Sequence, residues 1–246
     1  MTVSASQYEA AASKLRSGVN QVPGKLNDFA SATNSTLNKW YIPGFVKDAV
    51  KWLAEKLIHL AEAVWNKIVE LMKGIAAPGY MIDYAWKWES IKGTASGVAS
   101  ELSPEVVDIS QDWKGQAATA YAEAIAPQSD AASQIGTIAD KTSTSLAVCA
   151  AAGIAFYIAL GIIIFQLLAA LVAAIIAEGT IVFSAVGLGV VVLNAGITTG
   201  LIIAAVTTLG ACLATQASQM ASLHGSAVDQ TKFPGGNWPK ATNLGG

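Results

Sequence analysis

From Thr142 to Val228 the only formally charged side chain is Glu178. A stretch of that length with a single charge has few places to go, because unsatisfied apolar surface must be buried in protein or in lipid. Glu178 divides the tract into two arms. The first, Leu146 to Ala177 (LAVCAAAGIAFYIALGIIIFQLLAALVAAIIA), exceeds the roughly 20 apolar residues that carry an α-helix across ~30 Å of hydrocarbon. The second, from Ile181 to about Thr215, is equally uncharged and is richer in Gly, Thr and Val. Glu178, Gly179 and Thr180 stand between them as a tip, so the pair is expected to form a membrane-inserting helical hairpin. Composition agrees: 53% hydrophobic and 13% charged residues are too apolar for an ordinary water-soluble domain.

Within the arms, Gln166, Asn194 and Thr199 are candidates for lining a water-filled path or for bonding between helices. Gly196 and Gly200, at small-x-x-x-small spacing, are candidates for close helix contact. Cys149 and Cys212 lie at similar sequence distances before and after the tip, so an antiparallel hairpin brings them to one depth as a cross-hairpin pair, either packed as thiols or bridged.

The rest of the chain reads as helices. Tyr8, Leu15, Val19 and Val22 keep helical spacing until Pro23-Gly24, where a break or kink is expected. Helix resumes through Leu26, Phe29 and Leu37 and ends at a turn, Trp40-Tyr-Ile-Pro-Gly44. Between residues 45 and 75, Val46, Val50, Leu53, Leu57, Leu60, Val64, Ile68, Leu71 and Ile75 step by three or four throughout. That is an amphipathic helix, expected to pack in a bundle, to lie in the membrane interface or to cover the apolar hairpin. A further helix is expected over 79–102, with Tyr80, Tyr84, Trp86 and Trp88 in a helix seam or at a bilayer headgroup region. The fold expected is therefore all-α: elongated helical hairpins with a C-terminal two-helix membrane-inserting hairpin. Its segments are 1–77, 78–141, 142–223 and a polar flexible tail, 224–246.

Before the apolar tract comes SQDWKGQAATAYAEAIAPQ. Trp113-Lys114-Gly115 followed by a small-residue helix start resembles the WXG family of helical-hairpin proteins exported by type VII secretion systems. The resemblance covers residues 80–145, and it implies that Trp113 and Gly115 mark the turn between two antiparallel helices, with tryptophan in their seam. It also implies a helical partner of the same kind or a homo-oligomer. The acidic residue that family substrates carry four positions after a tyrosine is replaced here by Ile125, following Tyr121. The opening MTVSASQYEAAASKLRSG has neither a leading positive cluster nor an apolar core, so export independent of a signal peptide is expected.

Several function classes are disfavoured. The net charge is −2 and Arg16 is the only arginine, which leaves no basic surface for nucleic acid. Neither His59 nor His224 stands in a catalytic or metal-binding constellation with a cysteine or an acidic pair, so no enzyme activity, metal or cofactor is expected. Two readings remain. One is a secreted protein that inserts in a lipid bilayer and forms pores. The other is a bacterial inner-membrane anchor, immunity protein or secretion component whose helical head binds a protein.

Overall fold

The computed structural model describes residues 5–103, 112–178, 207, 209–211 and 213–241. Among them the chain is helical with no strand: α1 (Ala5–Leu37), α2 (Gly44–Leu71), a 3-10 turn at Met72–Gly74, α3 (Ala77–Glu101), α4 (Gln116–Glu178), α5 (213–228) and a second 3-10 turn at Pro234–Gly236. The all-α expectation holds. Among the described residues one apolar helix, α4, is long enough to cross a membrane, and most of the second expected arm, Ile181 to about Thr215, lies outside them.

The chain divides into two compact units that are discontinuous in sequence. Met1–Gly79 joins Ala151–Ala211, and Tyr80–Ala150 joins Cys212–Gly246. These boundaries differ from the sequential segments read from the sequence. The reason is α4, which runs unbroken through Pro127 and gives its first part to one unit and its apolar part to the other.

In the first unit, three helices show each other the same three-and-four spacing. Leu15, Val19, Val22, Leu26 and Phe29 of α1 are buried; so are Val50, Ala54, Leu57, Ala61, Val64 and Ile68 of α2, and Leu160, Ile164, Leu167, Leu171 and Ala174 of α4. A stripe of that period stays on one side of a helix over many turns, so three such stripes close a single core. α1 and α2 are antiparallel across the turn at residues 38–43. The 3-10 turn carries α2 into α3, and Tyr157 of α4 donates its hydroxyl to the Leu71 carbonyl at 3.1 Å.

Of the break or kink expected at Pro23-Gly24, the break does not occur: α1 is one helix with Pro23 inside it. Proline has no N–H, so the carbonyl four residues earlier, on Val19, loses its helical donor. Trp65 of α2 replaces it: the indole N–H donates to the Val19 carbonyl at 3.1 Å. Trp65→Phe keeps most of the ring's packing but leaves that buried carbonyl unpaired, and is expected to cost about 1–3 kcal/mol. Pro23→Ala restores a backbone donor, so in a Pro23→Ala background the same change is expected to cost markedly less. A double-mutant cycle in urea measures the difference, and equal costs in both backgrounds would refute the pairing.

The second unit is built on an antiparallel α3–α4 pair. Gly136 packs on α3, where an added Cβ would meet Ser96 Oγ at 3.6 Å and Ala95 Cβ at 3.8 Å. Ser129 donates to the Ala99 carbonyl at 2.8 Å. Lys92 joins Glu89 at 2.8 Å and Asp140 at 2.9 Å, and hydrogen bonding first to Glu89 and then to Asp140 pushes its ammonium pKa up. α5 lies antiparallel to α4, with Ser145 donating to Gln219 Oε1 at 3.1 Å and the Gln134 amide donating to the Ser226 carbonyl at 3.3 Å.

Two expectations fail in this unit. The residues after 224 are not a loose tail as far as 241. Gln128 donates to the Pro239 carbonyl at 2.8 Å, Lys232 pairs with Asp130 at 2.5 Å, and Pro239 is buried. A buried glutamine amide needs a partner, and here the tail backbone supplies it. Nor do most of the aromatics of α3 fill a seam: Tyr80, Tyr84 and Trp86 are exposed and Trp88 is half-buried, while the small residues Ala85 and Ala95 take buried positions.

Candidate functional site

The apolar half of α4 is where the sequence put the chemistry, and its two faces have different fates. One face is sheathed by α1 and α2, and its contacts are close. A Cβ placed on Gly18 of α1 would lie 2.7 Å from Ile164 Cγ2, one on Gly74 would meet the Tyr157 hydroxyl at 2.9 Å, and one on Gly153 would meet Pro78 Cγ at 2.7 Å. Glycine at these points lets a bulky helix approach a neighbouring backbone. The opposite face carries Ile158, Ile162, Phe165, Val172 and Ile176, which are 39 to 67% exposed. These side chains step by four, three, seven and four, with exposed Ala169 inside the longer step, so they form an apolar stripe along the helix. Stripes of that size on a folded chain mark a contact surface for lipid or protein.

The candidate residues are distributed as follows. Gln166 is exposed on α4, beside Phe165 of the stripe. Glu178 is the last residue of α4, and Gly179 and Thr180 lie outside the described residues, as do Asn194, Gly196, Thr199 and Gly200. Cys149 is half-buried on α4, and Cys212 lies outside the described residues. Gly115 directly precedes α4 with φ of 109°, a left-handed conformation that favours glycine. Trp113 does not occupy a seam: it is 43% exposed, with its ring centroid 5.9 Å from that of Tyr121.

A further cluster was not singled out from the sequence. Trp40, Tyr41, Phe45 and Trp52 are all exposed in the α1–α2 turn and the first turns of α2. The stretch reads as a turn from Pro43-Gly44 alone. The signal for more is the coincidence of four aromatics with Lys39, Lys47, Lys51 and Lys56.

What the arrangement can do is bind apolar surface. Among the described residues no group of His, Cys, Asp and Glu converges as metal ligands would. Comparison with protein-family models, with curated proteins and with solved structures yields no match.

Proposed function

We propose that this chain is a non-catalytic, membrane-inserting helical protein that holds an apolar helix against a two-helix sheath, surrenders it to a bilayer, and forms pores from several copies. The observation that carries the reading is the division of α4: one apolar face packed on α1 and α2, the other left open to an apolar partner. A core helix of an ordinary globular protein is covered on all sides. A permanent membrane span has no need of a polar-faced amphipathic sheath. The combination suits a helix that changes surroundings.

In this reading the uncharged chain beyond Glu178 supplies the second arm of a membrane hairpin whose tip is Glu178, Gly179 and Thr180. Gln166, Asn194 and Thr199 then face a polar path, and Gly196 and Gly200 allow close packing. The antiparallel α1–α2 and α3–α4 pairs and the Gly115 turn support a delivery route of the type VII kind, with a second copy or a helical partner of that kind. A resident membrane protein with a helical head is the second reading, and the exposed α4 stripe favours it because that stripe needs no release to meet lipid.

Purification without detergent, followed by dye release from liposomes, separates the two. The proposal expects a protein that stays in solution alone and releases dye at nanomolar to micromolar concentration. A protein that requires detergent and releases none belongs to the second reading.

A further inference from the structure

Helix register fixes which end of the first unit enters a membrane. Gly18 opposes Ile164, Tyr8 lies beside Gly79, and Pro78 lies against Gly153, so α1 and the apolar half of α4 run in the same direction. α2 runs opposite to both: its Trp65 meets Val19 and its Leu71 meets Tyr157. From the Leu71–Tyr157 contact, ~32 Å of helix rise carries α4 to Glu178, and the same rise back along α2 reaches Val50. The end of α4 and the α1–α2 turn therefore sit at one pole of the unit.

That pole is built unlike the rest of the unit. Ile42 is buried and anchors the turn, with backbone bonds from Lys39 N–H to the Thr36 carbonyl at 3.2 Å and from Val46 N–H to the Pro43 carbonyl at 3.1 Å. A turn fixed in this way leaves Trp40 at 90% and Phe45 at 77% exposure, with Tyr41 and Trp52 exposed beside them. Trp40 and Tyr41 meet edge to face at 5.9 Å between centroids, and Lys56 sits 5.7 Å over the Trp52 ring. Among these aromatics Lys39, Lys47, Lys51 and Lys56 outnumber Asp48 and Glu55, and with Glu178 at the end of α4 counted the pole still carries more lysines than carboxylates, on a chain whose net charge is −2.

Amphipathic rings and lysines gathered on one surface match the headgroup layer of an anionic bilayer. The rings insert among headgroups while ammonium groups stay with phosphate. We infer that the aromatic, lysine-bearing pole at residues 39–56 is the membrane-docking surface, and that its partner is a bilayer containing anionic phospholipid. Docking there presents the end of α4, and with it the uncharged chain that follows Glu178, to the lipid first. The inference rests on the membrane-inserting reading and adds to it a site, an orientation and a lipid class.

The test uses the full chain and vesicles of phosphatidylcholine, alone or with about one third phosphatidylglycerol, a fraction that gives the surface a negative potential. Co-flotation reads binding and encapsulated dye reads release. Wild type is expected to bind the phosphatidylglycerol vesicles well above the neutral ones, and high salt should weaken that binding through screening. A Lys47→Glu/Lys51→Glu variant and a Trp40→Ala/Phe45→Ala/Trp52→Ala variant should each lose at least about tenfold in partitioning, since one lysine at such a surface is worth about fivefold. Bromine-labelled phospholipid should quench wild-type tryptophan fluorescence, and the conservative Trp40→Phe/Trp52→Phe variant, which preserves ring packing, should lose most of that quenching. If wild type binds and releases dye while every variant matches it within about twofold, the docking surface is elsewhere and the membrane-inserting reading stands. If wild type neither binds nor releases dye from either vesicle, both fall.

Discussion

Leu57→Asp is expected to unfold the first unit at temperatures where the wild type is intact. Leu57 is fully buried in the middle of α2, in the core that α2 shares with α1 and α4. An aspartate there has two options and neither is cheap. It stays ionised without a cation, or it takes up a proton and sits as an unpaired polar group among leucines and valines. The nearby α2 lysines, Lys51 and Lys56, are exposed, and reaching inward would desolvate them as well. A cost of about 3–5 kcal/mol is expected, a large share of the ~5–15 kcal/mol that holds a typical domain together. Lys51→Asp, on the exposed side of the same helix, is expected to stay within about 0.5 kcal/mol of wild type and serves as the control. Thermal unfolding followed by circular dichroism reads both. An unchanged midpoint for Leu57→Asp would mean that the α2 stripe does not pack, and the sheath with it.

How far the sequence reveals this fold depends on where each residue's partner lies. The α2 stripe is legible because its period is local: Val50, Leu57, Val64 and Ile68 announce a buried face without reference to anything else. The continuity of α1 is not legible. The rule that proline interrupts a helix is sound, but the donor that replaces the missing N–H comes from Trp65, on another helix. The packed tail is hidden for a similar reason. Gln128 and Gln134 look like ordinary polar positions until their amides are seen donating to backbone carbonyls of residues 226–239.

The candidate site divides the same way. An uncharged tract can be read from the sequence, and so can the length of its helix. Which face packs cannot be read, because Ile158, Ile162 and Phe165 on the open side are as apolar as Leu160, Ile164 and Leu167 on the sheathed side. With apolar residues all round, the periodicity carries no information; geometry decides, through Gly18 and Gly153, where small residues let α4 approach. Gly115 is legible as a turn glycine, since a φ of 109° strains any other residue. Trp113 beside it is not, because whether a tryptophan at a turn faces inward depends on the helices it would enter.

Fastening α4 to α1 is expected to abolish dye release while leaving docking intact. A Cβ built on Gly18 lies 3.8 Å from Ile164 Cβ, the separation typical of a disulfide. Gly18→Cys/Ile164→Cys, with Cys149 and Cys212 replaced by serine to avoid competing bridges, therefore provides a reversible staple between the sheath and the apolar helix. The substitution of Ile164 also removes the atoms that an added side chain at Gly18 would strike. Once oxidised, the bridge closes a loop of more than a hundred residues, and by the chain-entropy relation it stabilises the closed state by about 4–5 kcal/mol. Opening becomes covalently impossible at the centre of the interface, whereas the aromatic pole is untouched, lying from ~14 Å along α2 at Lys56 to ~30 Å at the α1–α2 turn from the staple. The oxidised protein should float with phosphatidylglycerol vesicles as wild type does and release no dye; adding reductant to the bound protein should start release without further protein. The reduced double-cysteine form controls for the substitutions themselves. Equal release from oxidised and reduced protein would mean that α4 stays on its sheath throughout, and that whatever permeabilises the vesicle is done by the exposed α4 stripe or by the uncharged chain beyond Glu178.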